Sequence, residues 1–165
     1  MPYTAYENLA PNSRIWIYQT NALVSDAVAA KINATMQEFA EQWTSHNRAL
    51  TAWGAFLHNC FLVFAVDETM AGASGCSIDK SVNFIKNIEA EYQLDFFDRW
   101  AFSYKDKNGN IQIADRDAFA ELYAQGEIDD KTAVFNNLVQ TKADFESKWC
   151  VALEDSWHKN FVQVF

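Results

Sequence analysis

The residue types best suited to chemistry gather between Asp67 and Lys80. Asp67-Glu68 follow an apolar run, a connection with Gly72, Ser74 and Gly75 comes next, and Cys76-Ser77 stand where a helical pattern begins. Backbone N–H groups at a helix start point outward at the positive end of the dipole. They attract anions and lower the pKa of a nearby thiol. Cys76 is therefore the candidate nucleophile or redox thiol, with Asp67, Glu68, Ser74, Gly75 and Ser77 as candidate ligand contacts. The plainer reading makes the loop a tight connection, Ser77 the helix cap and Cys76 a small packing residue, the commoner role of a free cysteine. Ser77-Ile78-Asp79-Lys80 also fits the Ser-x-x-Lys pattern of penicillin-recognising enzymes. The companion Ser-Asp-Asn and Lys-Thr-Gly sequences are absent, so the match is discarded.

What these residues can do depends on the elements that carry them. Arg14 to Gln19 alternates Ile15 and Ile17 against Trp16 and Tyr18. Both faces are apolar, which predicts a central strand rather than a wet edge. Ser25 suits a helix N-cap, and Val28, Ile32, Met36, Phe39 and Trp43 make one apolar stripe ending near His46 and Asn47. A second strand is expected from about Leu50 to Leu57, a turn at His58-Asn59, and a fully buried strand from Phe61 to Val66. Ser77 would cap a helix striped by Ile78, Val82, Ile85, Ile88 and Tyr92. Arg99 to Tyr104 reads as a strand, Asn108-Gly109 as a type I′ turn, and Ile111 to Ala114 as the returning strand. Asp115 caps a short helix closed by Gly126. Ile128 to Leu138 fits no single pattern, Thr141 caps a last helix, and Trp157 and Phe161 dock the tail.

The order strand, helix, strand, strand, helix, strand predicts an α+β fold with a ferredoxin-like βαββαβ core at about 14–104. An extra hairpin strand and helices follow at about 105–165. The expectation is one domain over residues 1–165, within the usual size range. A ferredoxin-like sheet carries helices on one face, so its other face needs residues 115–165 or a second copy of the chain to cover it. That topology would also set Arg14, His46 and Arg48 beside Asp67, Glu68 and Cys76, at one sheet edge. Such a group makes either a small polar ligand site or a surface ion-pair cluster of little energetic worth.

Composition narrows the partners. With 22 acidic against 13 basic residues and a net charge of −9, the chain would repel a phosphate backbone and an anionic membrane surface. Neither nucleic acid nor a membrane is expected as a partner. Cys60, Cys76 and Cys150 are odd in number and unpaired in spacing, and the first residues lack a signal-peptide pattern, so a cytoplasmic location with reduced thiols is expected. Three scattered cysteines and three scattered histidines have no ligand spacing, so no metal and no cofactor is expected.

The stretches Ile15-Trp16-Ile17-Tyr18-Gln19, Val66-Asp67-Glu68, Ser74-Gly75-Cys76-Ser77-Ile78-Asp79, Phe97-Asp98-Arg99, Val134-Phe135-Asn136-Asn137-Leu138-Val139 and Ser156-Trp157-His158 resemble a family of small bacterial proteins often labelled "ABC transporter ATPase". The resemblance covers nearly the whole chain in the same order, and it implies no established activity. The label fails on chemistry, because no Gly-x-x-x-x-Gly-Lys-Ser/Thr phosphate loop occurs among the five glycines. The expected function is a non-enzymatic module that binds a protein partner or itself. The alternative is a small enzyme or a ligand- or anion-binding protein built on Cys76.

Overall fold

The computed structural model describes residues 4–45, 47–69 and 72–162. It is an α+β protein. Its strands are β1 (Arg14–Gln19), β2 (Thr44–Ser45), β3 (Arg48–Ala49), β4 (Thr51–Leu57), β5 (Phe61–Asp67), β6 (Ala101–Lys105), β7 (Ile111–Asp115), β8 (Ala133–Phe135) and β9 (Cys150–Ala152). Its α-helices are α1 (Asp26–Gln42), α2 (Gly75–Tyr92), α3 (Arg116–Ala124) and α4 (Lys142–Lys148). Among the described residues no helix is long and apolar enough to cross a membrane.

The strands form two main sheets, β1-β5-β4 and β7-β6-β8-β9, with a small β2-β3 ribbon beside them. The first sheet is antiparallel throughout, with Trp16 opposite Phe64 and Trp53 opposite Ala65. Alternation along β5 separates two cores. Leu62, Phe64 and Val66 face α1 and α2, packing with Ile32, Met36, Trp43, Ile85 and Ile88. Phe61, Val63 and Ala65 face the other way, against Leu9, Phe135, Val139 and Trp149, with Ile111 and Ile113 of the second sheet alongside. The far face of the second sheet, through Phe102, Tyr104 and Val134, meets Phe119 of α3 together with Leu153 and Val162. The layers therefore run helices, sheet, sheet, helix. Each fully buried Phe or Leu contributes on the order of 1.5–3 kcal/mol of hydrophobic stabilisation.

This arrangement corrects the expected topology at two points. The strand at 101–105 does not join β1. It pairs with β7 and β8 in the second sheet, so the first sheet stops at three strands. Consequently β1 is an edge strand, not a central one. Its two apolar faces reflect layers above and below the sheet, and say nothing about neighbours within it. The second face of the first sheet is covered by residues of the same chain, so no second copy is needed there.

Local signals resolve similarly. Ser25, Asp115 and Thr141 cap α1, α3 and α4 as their types require, accepting from the N–H groups of Val28, Ala118 and Asp144. The paired left-handed residues of a type I′ turn are His58 and Asn59 (φ 54° and 61°), which close the β4–β5 hairpin. At Asn108-Gly109 only the glycine has positive φ, 79°. There the Asp106 carboxylate collects the N–H groups of Asn108 and Asn110, each at 2.9 Å, so a longer loop replaces the two-residue turn.

Candidate functional site

The start of α2 holds most of the residues singled out in the sequence. The cap is Ser74, not Ser77, and the helix begins at Gly75. Ser74 Oγ accepts from the Ser77 N–H at 3.2 Å, and Ser77 Oγ accepts from the Ser74 N–H at 2.7 Å, a reciprocal capping box. The Ser45 hydroxyl donates to Ser74 Oγ at 2.9 Å, and the Trp43 indole donates to the Ser77 carbonyl at 2.8 Å. Ser77 is fully buried, and Ser81 follows it on the same buried face of α2, where the apolar pattern pointed to Ile78 and Val82.

The acidic residues are engaged as well. Glu68 Oε2 accepts from the Ala73 N–H at 3.0 Å, and its Oε1 lies 3.4 Å from Arg14 Nε. The Arg14 guanidinium sits 4.6 Å over the Trp16 ring. Asp67 accepts from the Thr69 hydroxyl, from the Thr69 N–H at 3.0 Å and from the Ala10 N–H at 3.2 Å. These bonds, the Thr69 hydroxyl first, hold its carboxyl below the usual carboxylate range.

Thus Arg14 and Glu68 meet, and Ser74 and Ser77 meet. Gly75 and Cys76 occupy the exposed first positions of α2. Arg48 is exposed on β3, and among the described residues no ion pair joins it to Asp67 or Glu68. His46 lies outside the described residues. The Cys76 thiol is exposed, and it lines none of the three cavities considered below. Among the described residues no group of three or more His, Cys, Asp and Glu side chains could hold a metal ion. The start of α2 is thus a self-satisfied junction with an exposed thiol.

A cleft of about 480 Å³ lies elsewhere, at the end of β1. It is lined by Ile17, Tyr18 and Gln19 of β1, by Phe96–Arg99 on the approach to β6 and Ala101 at its start, and by Asn137, Leu138 and Trp157. Its volume falls in the range of ligand pockets, roughly 300–1,000 Å³. The two other depressions, at Tyr6-Trp53-Phe145 and at Leu23-His58-Gln112, are more open to solvent.

Paired amides hold the cleft. Gln19, 6% exposed, donates through Nε2 to the Ala101 carbonyl at 3.0 Å and accepts from Asn137 Nδ2 at 3.0 Å. Asn137 Oδ1 in turn accepts from the Trp149 indole at 2.9 Å. Asn136 Oδ1 accepts from the Trp157 indole at 3.0 Å and from the Leu138 N–H at 3.1 Å, turning the chain so that Leu138 projects outward. The walls are apolar, with Tyr18 and Phe97 ring centroids 5.6 Å apart. Burial pushes the Tyr18 hydroxyl above its ordinary pKa. Arg99 is exposed at the wall and has no carboxylate within ion-pair distance among the described residues. Phe97 and Leu138 are 42% and 68% exposed, and Trp100, 49% exposed, stands in sequence between two lining residues.

Residues from the stretches 15–19, 97–99, 134–139 and 156–158 meet in this cleft. The sequence placed Trp157 on a docked tail and gave no pattern to the segment that holds Asn136 and Asn137. Their meeting with Gln19 and Phe97 required the long-range pairing that only the fold supplies. No family model, no curated protein and no solved structure matches the chain.

Proposed function

We propose that this chain is a binding module, not an enzyme, and that it takes its partner in the cleft at the end of β1. The observation that carries this reading is the gathering of exposed apolar side chains there. Of the four large hydrophobic residues exposed on the described surface, Phe97 and Leu138 line the cleft and Trp100 adjoins it. Apolar side chains grouped around a concavity with fixed amides are the usual make-up of a recognition site. The cytoplasmic location, the family membership and a ferredoxin-like ancestry for residues 14–92 belong to this same proposal. In the last case the support is the antiparallel order of the first, third and second strands with two helices on one face. The alternative, a reactive Cys76, has the exposed thiol in its favour. Against it, the capping box and the Glu68 carboxylate already take the N–H groups of Ala73, Ser74 and Ser77.

A fragment library screened by amide chemical shifts tests the reading. Shifts should cluster at Gln19, Phe97, Ala101, Leu138 and the Trp157 indole, and they should vanish in Leu138→Asp without a fall in its thermal midpoint. Shifts confined to Cys76 and the start of α2 would transfer the site to the alternative.

A further inference from the structure

The cleft floor is an unfinished strand edge. The Ile15 N–H points away from β5 and donates to the Gln140 carbonyl at 2.9 Å, whereas the Thr20 N–H points the other way, to Cys60, also at 2.9 Å. With a period of two, the N–H groups of Ile17 and Gln19 point outward like that of Ile15. Neither has a backbone or side-chain partner among the described residues, nor has the Ile17 carbonyl. The chain already uses this edge one step earlier. Residues 140–142 lie antiparallel to it, with Arg14 bridged to Thr141 and the Lys142 N–H donating to the Ser13 carbonyl at 2.9 Å. Continued in register, Leu138 would oppose Ile17. Instead the Asn136 and Asn137 side chains pull the chain off the edge, and Leu138 becomes a wall of the cleft.

We infer that the occupant of the cleft is an extended polypeptide segment that pairs with β1 at Ile17–Gln19, continuing the ladder which the chain's own 140–142 begins. This rests on the binding reading above. An extended backbone offers alternating donors and acceptors on one side, which match the open groups of Ile17 and Gln19. Its side chains would alternate between two walls. The residue opposite Tyr18 meets Phe97, and those opposite Ile17 and Gln19 meet Leu138 and Trp157. The favoured guest is therefore apolar at those positions.

The test uses a phage-displayed random heptapeptide library panned on the full chain. The enriched peptides are then synthesised with each backbone nitrogen methylated in turn. Methylation at the residues facing Ile17 and Gln19 should weaken binding about tenfold or more, and methylation at the residue between them should not. In parallel, amide hydrogen exchange at Ile17 and Gln19 should be fast in the free protein and slow in the complex, while Trp16 and Tyr18 are slow in both. Leu138→Asp should lose the peptides while keeping its fold. Peptides that shift the cleft resonances yet tolerate methylation everywhere would overturn strand pairing and leave the binding reading intact. If no selected peptide perturbs Ile17–Gln19, Phe97 or Leu138, and fragments do not either, both fall together.

Discussion

His158 is 1% exposed, stacks on the Trp157 indole at 3.7 Å between ring centroids, and sits with its Nδ1 2.6 Å from the Ser156 hydroxyl. In the neutral ring protonated at Nε2, Ser156 donates this bond. Burial pulls the pKa of His158 down to about 4 from an ordinary value of 6.5. The unfolded chain therefore binds a proton that the folded chain refuses between those two values. Its contribution to stability is complete above pH 6.5 and is lost as pH falls towards 4, by about 3 kcal/mol in all. Partial desolvation of its ring, and then the Lys105 charge, shift His58 in the same direction. Urea midpoints measured from pH 7 to pH 4 should fall for the wild type. In His158→Gln that fall should be much shallower, even though the variant starts from a lower stability. Such a role was not readable in the sequence, where only Trp157 and Phe161 marked the tail as docked. Nothing local announced that Phe102 and Phe119 would close over the ring, at 5.2 and 5.9 Å between centroids.

At the scale of the element, α2 shows what periodicity catches and what it misses. Its place and length were legible, and Ile85 and Ile88 are buried as their spacing requires. Its first turn was not, because Ser74 and Ser77 are both good caps and three residues apart, so either could have been read as the start. The capping box uses both. Ser74→Ala should cost about 1 kcal/mol of stability in denaturant unfolding, the usual loss for an N-cap, and also orphan the Ser45 hydroxyl. Strand β1 carries the converse lesson. Alternation correctly placed Trp16 and Tyr18 on one face and Ile15 and Ile17 on the other. The number of hydrogen-bonded neighbours leaves no mark on side-chain type when both faces are covered. The cleft, which exists because β1 lacks a neighbour at its far end, was hidden for that reason.

At the scale of the molecule, residues 14–92 were largely legible and residues 100–162 much less so. Strands β8 and β9 are three residues long, too short to express a period, and the chain between Gly126 and Thr141 alternates neither as strand nor as helix. Yet this half decides the architecture, since Phe135, Val139 and Trp149 lie over the first sheet and cover the face that needed either residues 115–165 or a second copy. Phe135, 3% exposed, stands 5.0 Å from both the Phe61 and Trp149 ring centroids. Phe135→Ala should lower unfolding free energy by about 3–5 kcal/mol through lost burial and the cavity left behind. Because it loosens the cover on that face, the same variant should bind more of a hydrophobic dye than the wild type does.

The bare stretch of β1 is closed at both ends. Gln140 clamps it at Ile15, and beyond Tyr18 the Gln19 carboxamide is tied to Ala101 and Asn137. Unprotected strand rims ordinarily invite like molecules to stack without limit, and that is how fibres begin. Here the gap is only a few residues wide and has a tie on either side, which leaves little edge for a sheet to grow from. The same two ties that frame the cleft thus also limit how much bare backbone the strand presents.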